Sequence, residues 1–174
     1  MIKVEISPGK KRLSEEWETI GIGGDIDKTF KWGRDKFPYK KDSVDIIYAS
    51  HVLEHIWWYD TVRVLEDALE VLKPGGRIEL WVPNFSRIAA SYYNRECGDK
   101  WRKWNPNNEY MTWVNGRLFA YGSAENTHRA CFDGPHLVSC LQKAGYDEIF
   151  PLRTPRGVSH GIINLGMCGV KEKE

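Results

Sequence analysis

The sequence predicts an α/β fold in which a mostly parallel central sheet is flanked by helices, all within one domain over residues 1–174. Three observations carry that expectation. Residues 44–49 (VDIIYA) form an apolar run rich in Val, Ile and Tyr, as suits a strand buried on both faces of a parallel sheet. From Asp60 the period changes: Val62, Leu65, Leu69 and Leu72 recur at spacings of three and four, opposite Arg63, Glu66, Asp67, Glu70 and Lys73. That is the pattern of an amphipathic helix, expected to stop at Pro74-Gly75-Gly76 because proline cannot continue it. Residues 77–82 (RIELWV) then return as a strand, so the three segments make a right-handed βαβ unit.

The remaining elements come in chain order. Residues 2–7 (IKVEIS) alternate like a short strand and end at the turn signal Pro8-Gly9, and residues 18–22 (ETIGI) are a second strand before Gly23-Gly24. Beyond the βαβ unit the rhythm breaks. Residues 86–97 have a helical composition and residues 98–126 are rich in turns and aromatics, so residues 86–128 are expected to be an inserted cap over the sheet. Residues 136–143 (HLVSCLQK) are helical, with Gly145 as the terminator, and residues 148–152 and 162–170 are expected to close the sheet as a pair of strands.

Composition excludes several function classes. With 25 basic and 24 acidic side chains, the net charge of +1 gives no electrostatic footprint for extended nucleic acid or for a membrane surface. No apolar run is long enough to span a bilayer, and the amino terminus carries no secretory pattern, so a cytoplasmic protein is expected. Cys97, Cys131, Cys140 and Cys168 form no C-x-x-C pair and are expected to be reduced thiols.

The string with the most chemistry in it is His51-x-x-Glu54-His55. It matches the H-x-x-E-H zinc motif of one class of metallopeptidases. That chemistry needs one continuous helix, so that both imidazoles project together, and a further acidic ligand from elsewhere. Here the motif comes directly after a buried strand, which puts His51 in the turn, and no later helix offers an obvious carboxylate. Local hydrogen bonding by these residues is the better reading than zinc hydrolysis.

Around the motif, residues 42–83 (DSVDIIYASHVLEHIWWYDTVRVLEDALEVLKPGGRIELWVP) resemble class I S-adenosylmethionine-dependent methyltransferases, most closely the methyltransferase type 11-like group. The likeness rests on SVDIIYASHVLEHI, on EVLKPGGRIEL and on the preceding KFPYKKDSVD, and a weaker likeness runs through THRACFDGPHLVSCLQKAGYDEI. The resemblance implies a Rossmann-like methyltransferase fold and S-adenosyl-L-methionine as cofactor. It implies further that Glu5, Ser7 and Gly9 lie beside the methionine part, Asp25 or Asp27 beside the ribose, Phe37 over the adenine, and Ser50 or His51 near the methionine carboxylate or sulfonium. V-L-E-H is common at this place in the group, where it need not bind metal. Relatives that methylate quinone precursors use an E-x-x-E-H variant for a divalent ion, but here the first position is His51, and no metal is assigned.

Two departures stand out. The usual acidic-x-Gly-x-Gly loop reads Glu5-Ile6-Ser7-Pro8-Gly9, and Asp25 and Asp27 come a little late for the ribose. His51 is the first candidate for a general base and His128 the second, because imidazole titrates near neutrality; each could instead satisfy nearby backbone. Glu54 and His55 are expected to brace the helix that opens here against the sheet. The aromatic cap (Tyr92, Tyr93, Trp101, Trp104, Tyr110, Trp113, Phe119, Tyr121) with Arg95, Arg102 and Lys103 offers stacking faces beside cations. Such faces suit a sugar, a nucleotide or an aromatic acceptor, and equally suit packing of the cap onto the sheet. The expected partner is a small-molecule acceptor, and the resemblance, whose short members are often linked to surface-polysaccharide pathways, implies a sugar or nucleotide-sugar. The alternative is a methyltransferase-like binding module without catalytic activity.

Overall fold

A computed structural model describes residues 1–96, 105–120 and 124–173. Seven strands form one sheet: β1 (Lys3–Ile6), β2 (Glu18–Gly21), β3 (Lys28–Thr29), β4 (Val44–Ser50), β5 (Leu72–Pro83), β6 (Glu148–Leu152) and β7 (Asn164–Val170). Their order is β3-β2-β1-β4-β5-β7-β6. The first five run parallel, while β7 pairs antiparallel with both β5 and β6. Among the described residues four α-helices accompany them: α1 (Thr61–Val71), α2 (Phe85–Tyr93), α3 (Tyr110–Phe119) and α4 (Gly134–Lys143).

Strand alternation sorts the core into two layers. Val4, Ile6, Ile47, Ala49, Ile78 and Leu80 face one way and join Val64, Leu65 and Ala68 of α1 and Leu137 and Leu141 of α4 in the main core. On the other face, Ile46, Tyr48 and Trp81 pack against Trp17, Leu13 and Leu152. No helix lies between β1 and β2; residues 7–17 cover that face as a loop. Glu79 is buried here too, held by Arg156 at 2.6 and 2.7 Å and by Arg77 at 2.9 Å.

The helix of the βαβ unit ends three residues before the expected stop. Its last residue is Val71, and Leu72 turns extended (ψ 139°) to begin β5, which carries Pro74-Gly75-Gly76 inside its range. The residue before proline is driven out of the helical region, so Lys73 belongs to the strand. Gly76 is required there: a Cβ would lie 2.8 Å from the Lys73 carbonyl oxygen and 3.0 Å from that of Val44. α4 starts where Asp133 accepts the His136 N–H at 2.9 Å, and Gly145 (φ +92°) ends it.

Within 86–128 the structure corrects the sequence reading of an irregular stretch, because α3 lies inside it. Asn105 builds its start, donating to the Glu109 carbonyl and accepting the Glu109 N–H, both at 2.8 Å. Trp113 is buried to 1 % beside Ile88 of α2 and Ile163, and that packing holds the helix where the local sequence gives weak periodicity. Trp101, Trp104, Tyr121, Arg102, Lys103 and Cys97 lie outside the described residues. Cys131, Cys140 and Cys168 are free thiols. Among the described residues no helix is long and apolar enough to cross a membrane.

Candidate active site

Strand order reverses direction between β1 and β4, and in open α/β sheets ligands bind beyond the carboxyl ends of strands at such a point. Both strand ends are conformationally special. Ser7, just past β1, has φ +53°, and His51, just past β4, has φ +55°. Non-glycine residues at left-handed φ are uncommon and gather at functional sites. His51 is held there because its N–H still reaches the Trp81 carbonyl of β5 at 2.8 Å.

After His51 the chain does not enter a regular helix. Residues Leu53–His55 form one 3-10 turn, with Leu53 pressed into the main core and Glu54 turned the other way, buried to 1 %. The Glu54 carbonyl accepts the N–H groups of Arg129 (2.7 Å) and Ala130 (3.1 Å), and the Arg129 guanidinium donates to the His55 carbonyl at 2.7 Å. These bonds lay residues 128–130 alongside 54–55 and deliver His128 to the Glu54 carboxylate.

Two cavities meet here. The first, about 600 Å³, is lined by Ser7, Gly9, Ile22, Phe30, Lys31 and Trp32, and opposite them by His51, His55 and Arg129. The second, about 700 Å³, is lined by Glu54, Pro83, Arg117, His128 and His160. His51, His55 and Asn126 line both and form the wall between them.

The wall is electrostatically loaded. His51 Nδ1 stands 3.2 Å from Glu54 Oε1, His51 Nε2 lies 2.9 Å from Asn164 Oδ1, and His128 Nε2 is 3.9 Å from Glu54 Oε1. Burial works against a charge on His51, yet the Glu54 carboxylate and Asn164 outweigh it and raise its pKa. Burial likewise disfavours the Glu54 carboxylate, but His51, His55 and His128 together hold its pKa below the ordinary value. His128 is lowered by burial, and His160, whose ring is 3.9 Å from that of His51, is lowered to about 4 by burial and by the charge on His51.

The residues named from sequence fall into two groups. Ser7, Gly9 and His51 line the first cavity, His51 and His128 line the second, and Ser50 is the last residue of β4 beneath them. Glu5, Asp25, Asp27 and Phe37 line neither. Glu5 lies on the opposite face of the sheet and accepts the Leu13 N–H at 2.8 Å. Asp25 and Asp27 both grip the Arg12 guanidinium, at 2.8 and 2.9 Å, and Asp27, lowered to about 2 by Arg12 and Thr19, also takes the Thr19 N–H. Phe37 is core, packed on Phe30 and Trp32.

Residues not foreseen complete the walls. Ile22, 62 % exposed, occupies the position immediately past β2. Phe30 and Trp32 share a face at a spacing of two after the Gly23-Gly24 turn, a pattern the sequence does display. Glu54 and His55, expected to be braces, both line cavities, because the 3-10 turn rotates them away from the core.

The fold and the doubled cleft define a class: an open α/β domain with a cavity at the carboxyl ends of its parallel strands and a second chamber beside it. A family model described as a methyltransferase domain matches residues 1–149, and the chain belongs to that family. No curated protein matches its sequence. Among solved structures it is similar to a SAM-dependent methyltransferase from Thermotoga maritima, described as a possible histamine N-methyltransferase (16 % identity, 98 % of this chain and 82 % of that one, TM-score 0.58). It is also similar to 1,6-didemethyltoxoflavin-N1-methyltransferase from Burkholderia thailandensis, solved with bound 1,6-didemethyltoxoflavin and S-adenosylhomocysteine (14 %, 98 % and 71 %, TM-score 0.58). A third is the CurJ carbon methyltransferase (12 %, 99 % and 49 %, TM-score 0.58), of which this chain spans about half the length. At these identities the likeness is one of fold.

Proposed function

We propose that this chain is a methyltransferase that uses S-adenosyl-L-methionine to methylate a small-molecule or saccharide-like acceptor. The observation that carries the reading is the shared wall. A cofactor in the first cavity would rest on Ser7 and Gly9, with its adenine near Phe30 and Trp32, and its sulfonium would meet the acceptor at His51. Bound there, S-adenosylmethionine would supply an electrophilic methyl group: the acceptor atom would take the methyl carbon while the sulfur–methyl electron pair returned to sulfur, giving neutral S-adenosylhomocysteine. Because the leaving group is good, positioning and water exclusion supply most of the acceleration. An acceptor that arrives protonated needs a base on that wall. His51 is the first choice, oriented by Glu54, and His128 the second.

Calorimetric titration with S-adenosylmethionine and S-adenosylhomocysteine tests the reading, with micromolar binding of both expected. Absence of heat with either would leave the domain as a binding module. Ser7 in a glycine's usual place and the engagement of Asp25 and Asp27 by Arg12 favour that second reading. The zinc-peptidase reading lacks its helix, since His51 is at φ +55° and Leu53–His55 form a 3-10 turn rather than part of a continuous helix.

A further inference from the structure

We infer that Glu54, His55 and His128 form a site for one divalent transition-metal ion, opening on the second cavity. Each offers one ligand atom, and the three atoms lie within 4.8 Å of one another. Bonds near 2.1 Å in tetrahedral geometry place ligand atoms about 3.4 Å apart, so small side-chain rotations close the set. The donor set comes from two segments more than seventy positions apart, and the backbone bonds from Glu54 to Arg129 and Ala130 fix their approach.

The state of Glu54 is the independent observation. Its carboxylate is buried to 1 %, and among the described residues neither oxygen makes an aligned hydrogen bond; the nearest donor, His51 Nδ1, is at 3.2 Å. His51 serves Oε1, but Oε2 has no partner among the described residues, and a buried carboxylate with an oxygen left over is costly unless a further cation completes it. The surroundings are those of a ligand shell. His51 orients one oxygen and leaves Oε2 open. His128 presents Nε2 to Glu54 Oε1 at 3.9 Å, and His55 Nδ1 faces the Thr127 carbonyl at 3.4 Å, which leaves Nε2 as its free nitrogen. Metal-bound histidines characteristically spend their second nitrogen in this way.

Two imidazoles and one carboxylate select Zn²⁺, Co²⁺, Ni²⁺ or Fe²⁺ over the oxygen-seeking Mg²⁺ and Ca²⁺. The remaining coordination positions face the 700 Å³ cavity, where an oxygen or nitrogen of the acceptor would bind. This set differs from a collinear H-x-x-E-H or E-x-x-E-H motif, since position 51 stays outside it and His128 supplies the third ligand.

The test uses the full chain after chelator treatment, titrated with Zn²⁺ by calorimetry and with Co²⁺ by visible absorption. One equivalent should bind, and Co²⁺ should show the bands of a four- or five-coordinate ion. His128→Asn and Glu54→Gln should each weaken Zn²⁺ binding at least tenfold, whereas His136→Ala should not change it; His55→Ala replaces either variant that melts early. Three results would overturn the inference: no stoichiometric binding, binding unaffected by His128→Asn, or binding abolished by His51→Asn while His128→Asn retains it. The metal titration is read without S-adenosylmethionine, so it stands or falls apart from the cofactor reading.

Discussion

At position 51 the backbone and the side chain make separate demands. The φ of +55° suits Gly, Asn or Asp, while the ring contacts Glu54, Asn164 and His160. Alanine would therefore confuse loss of the imidazole with strain in the turn. His51→Asn keeps a residue that tolerates the left-handed region and removes the ring. With an acceptor that loses a proton, it should lower kcat about a hundredfold or more and leave the Kd for S-adenosylhomocysteine nearly unchanged. An unchanged kcat would remove His51 from the chemistry. Nothing local in the sequence shows this geometry. A strand running into His51 is legible, but the turn's handedness depends on the Trp81 carbonyl thirty residues away.

Among the elements, the two loops after β1 and β2 are tied together. The Asp25 N–H reaches the Gly9 carbonyl at 2.9 Å, and Gly24 sits so close that a Cβ would be 1.7 Å from that oxygen. Arg12 then clamps Asp25 and Asp27 across the gap. Arg12→Ala should loosen both walls of the first cavity. The expected outcome is a Kd for S-adenosylhomocysteine raised about tenfold through lost preorganisation, with faster amide exchange at residues 8–13 and 22–27 but not in β4. Unchanged affinity would show that the clamp is incidental to the cleft. The sequence offers Asp25 and Asp27 as candidates for the ribose but does not show that Arg12 engages both carboxylates. α3 shows the same limit, because Trp113 finds its partners on α2 and at Ile163. By contrast β4, α1 and α4 were readable from the local pattern, β4 from a continuous apolar run and each helix from one apolar face with a terminator after it.

For the whole molecule, acid stability depends on the face that has no covering helix between β1 and β2. Burial works to raise the Glu79 pKa, but Arg156 and Arg77 outweigh it and hold it below the ordinary 4.5. A carboxyl lowered on folding contributes stability that is fully present above its unfolded pKa and lost as pH falls through the folded value. The melting temperature should thus drop on acidification below about pH 4.5, and less steeply in Glu79→Gln. At neutral pH that variant should lose about 1–2 kcal/mol, given that Arg156 is partly exposed. Parallel acid profiles for the two proteins would show that Glu79 is not the group responsible.

The sequence by itself determined the parallel sheet, the helices that pack on it, and the likeness to methyltransferases, because those arise from short-range periodicity and from residues contiguous in the chain. Tertiary structure alone decided which side chains share a cavity. His128 meets Glu54, and Asp25 and Asp27 meet Arg12, through backbone hydrogen bonds and ion pairs between distant segments. Such contacts depend on where folding brings two segments side by side, and no spacing along one of them records it.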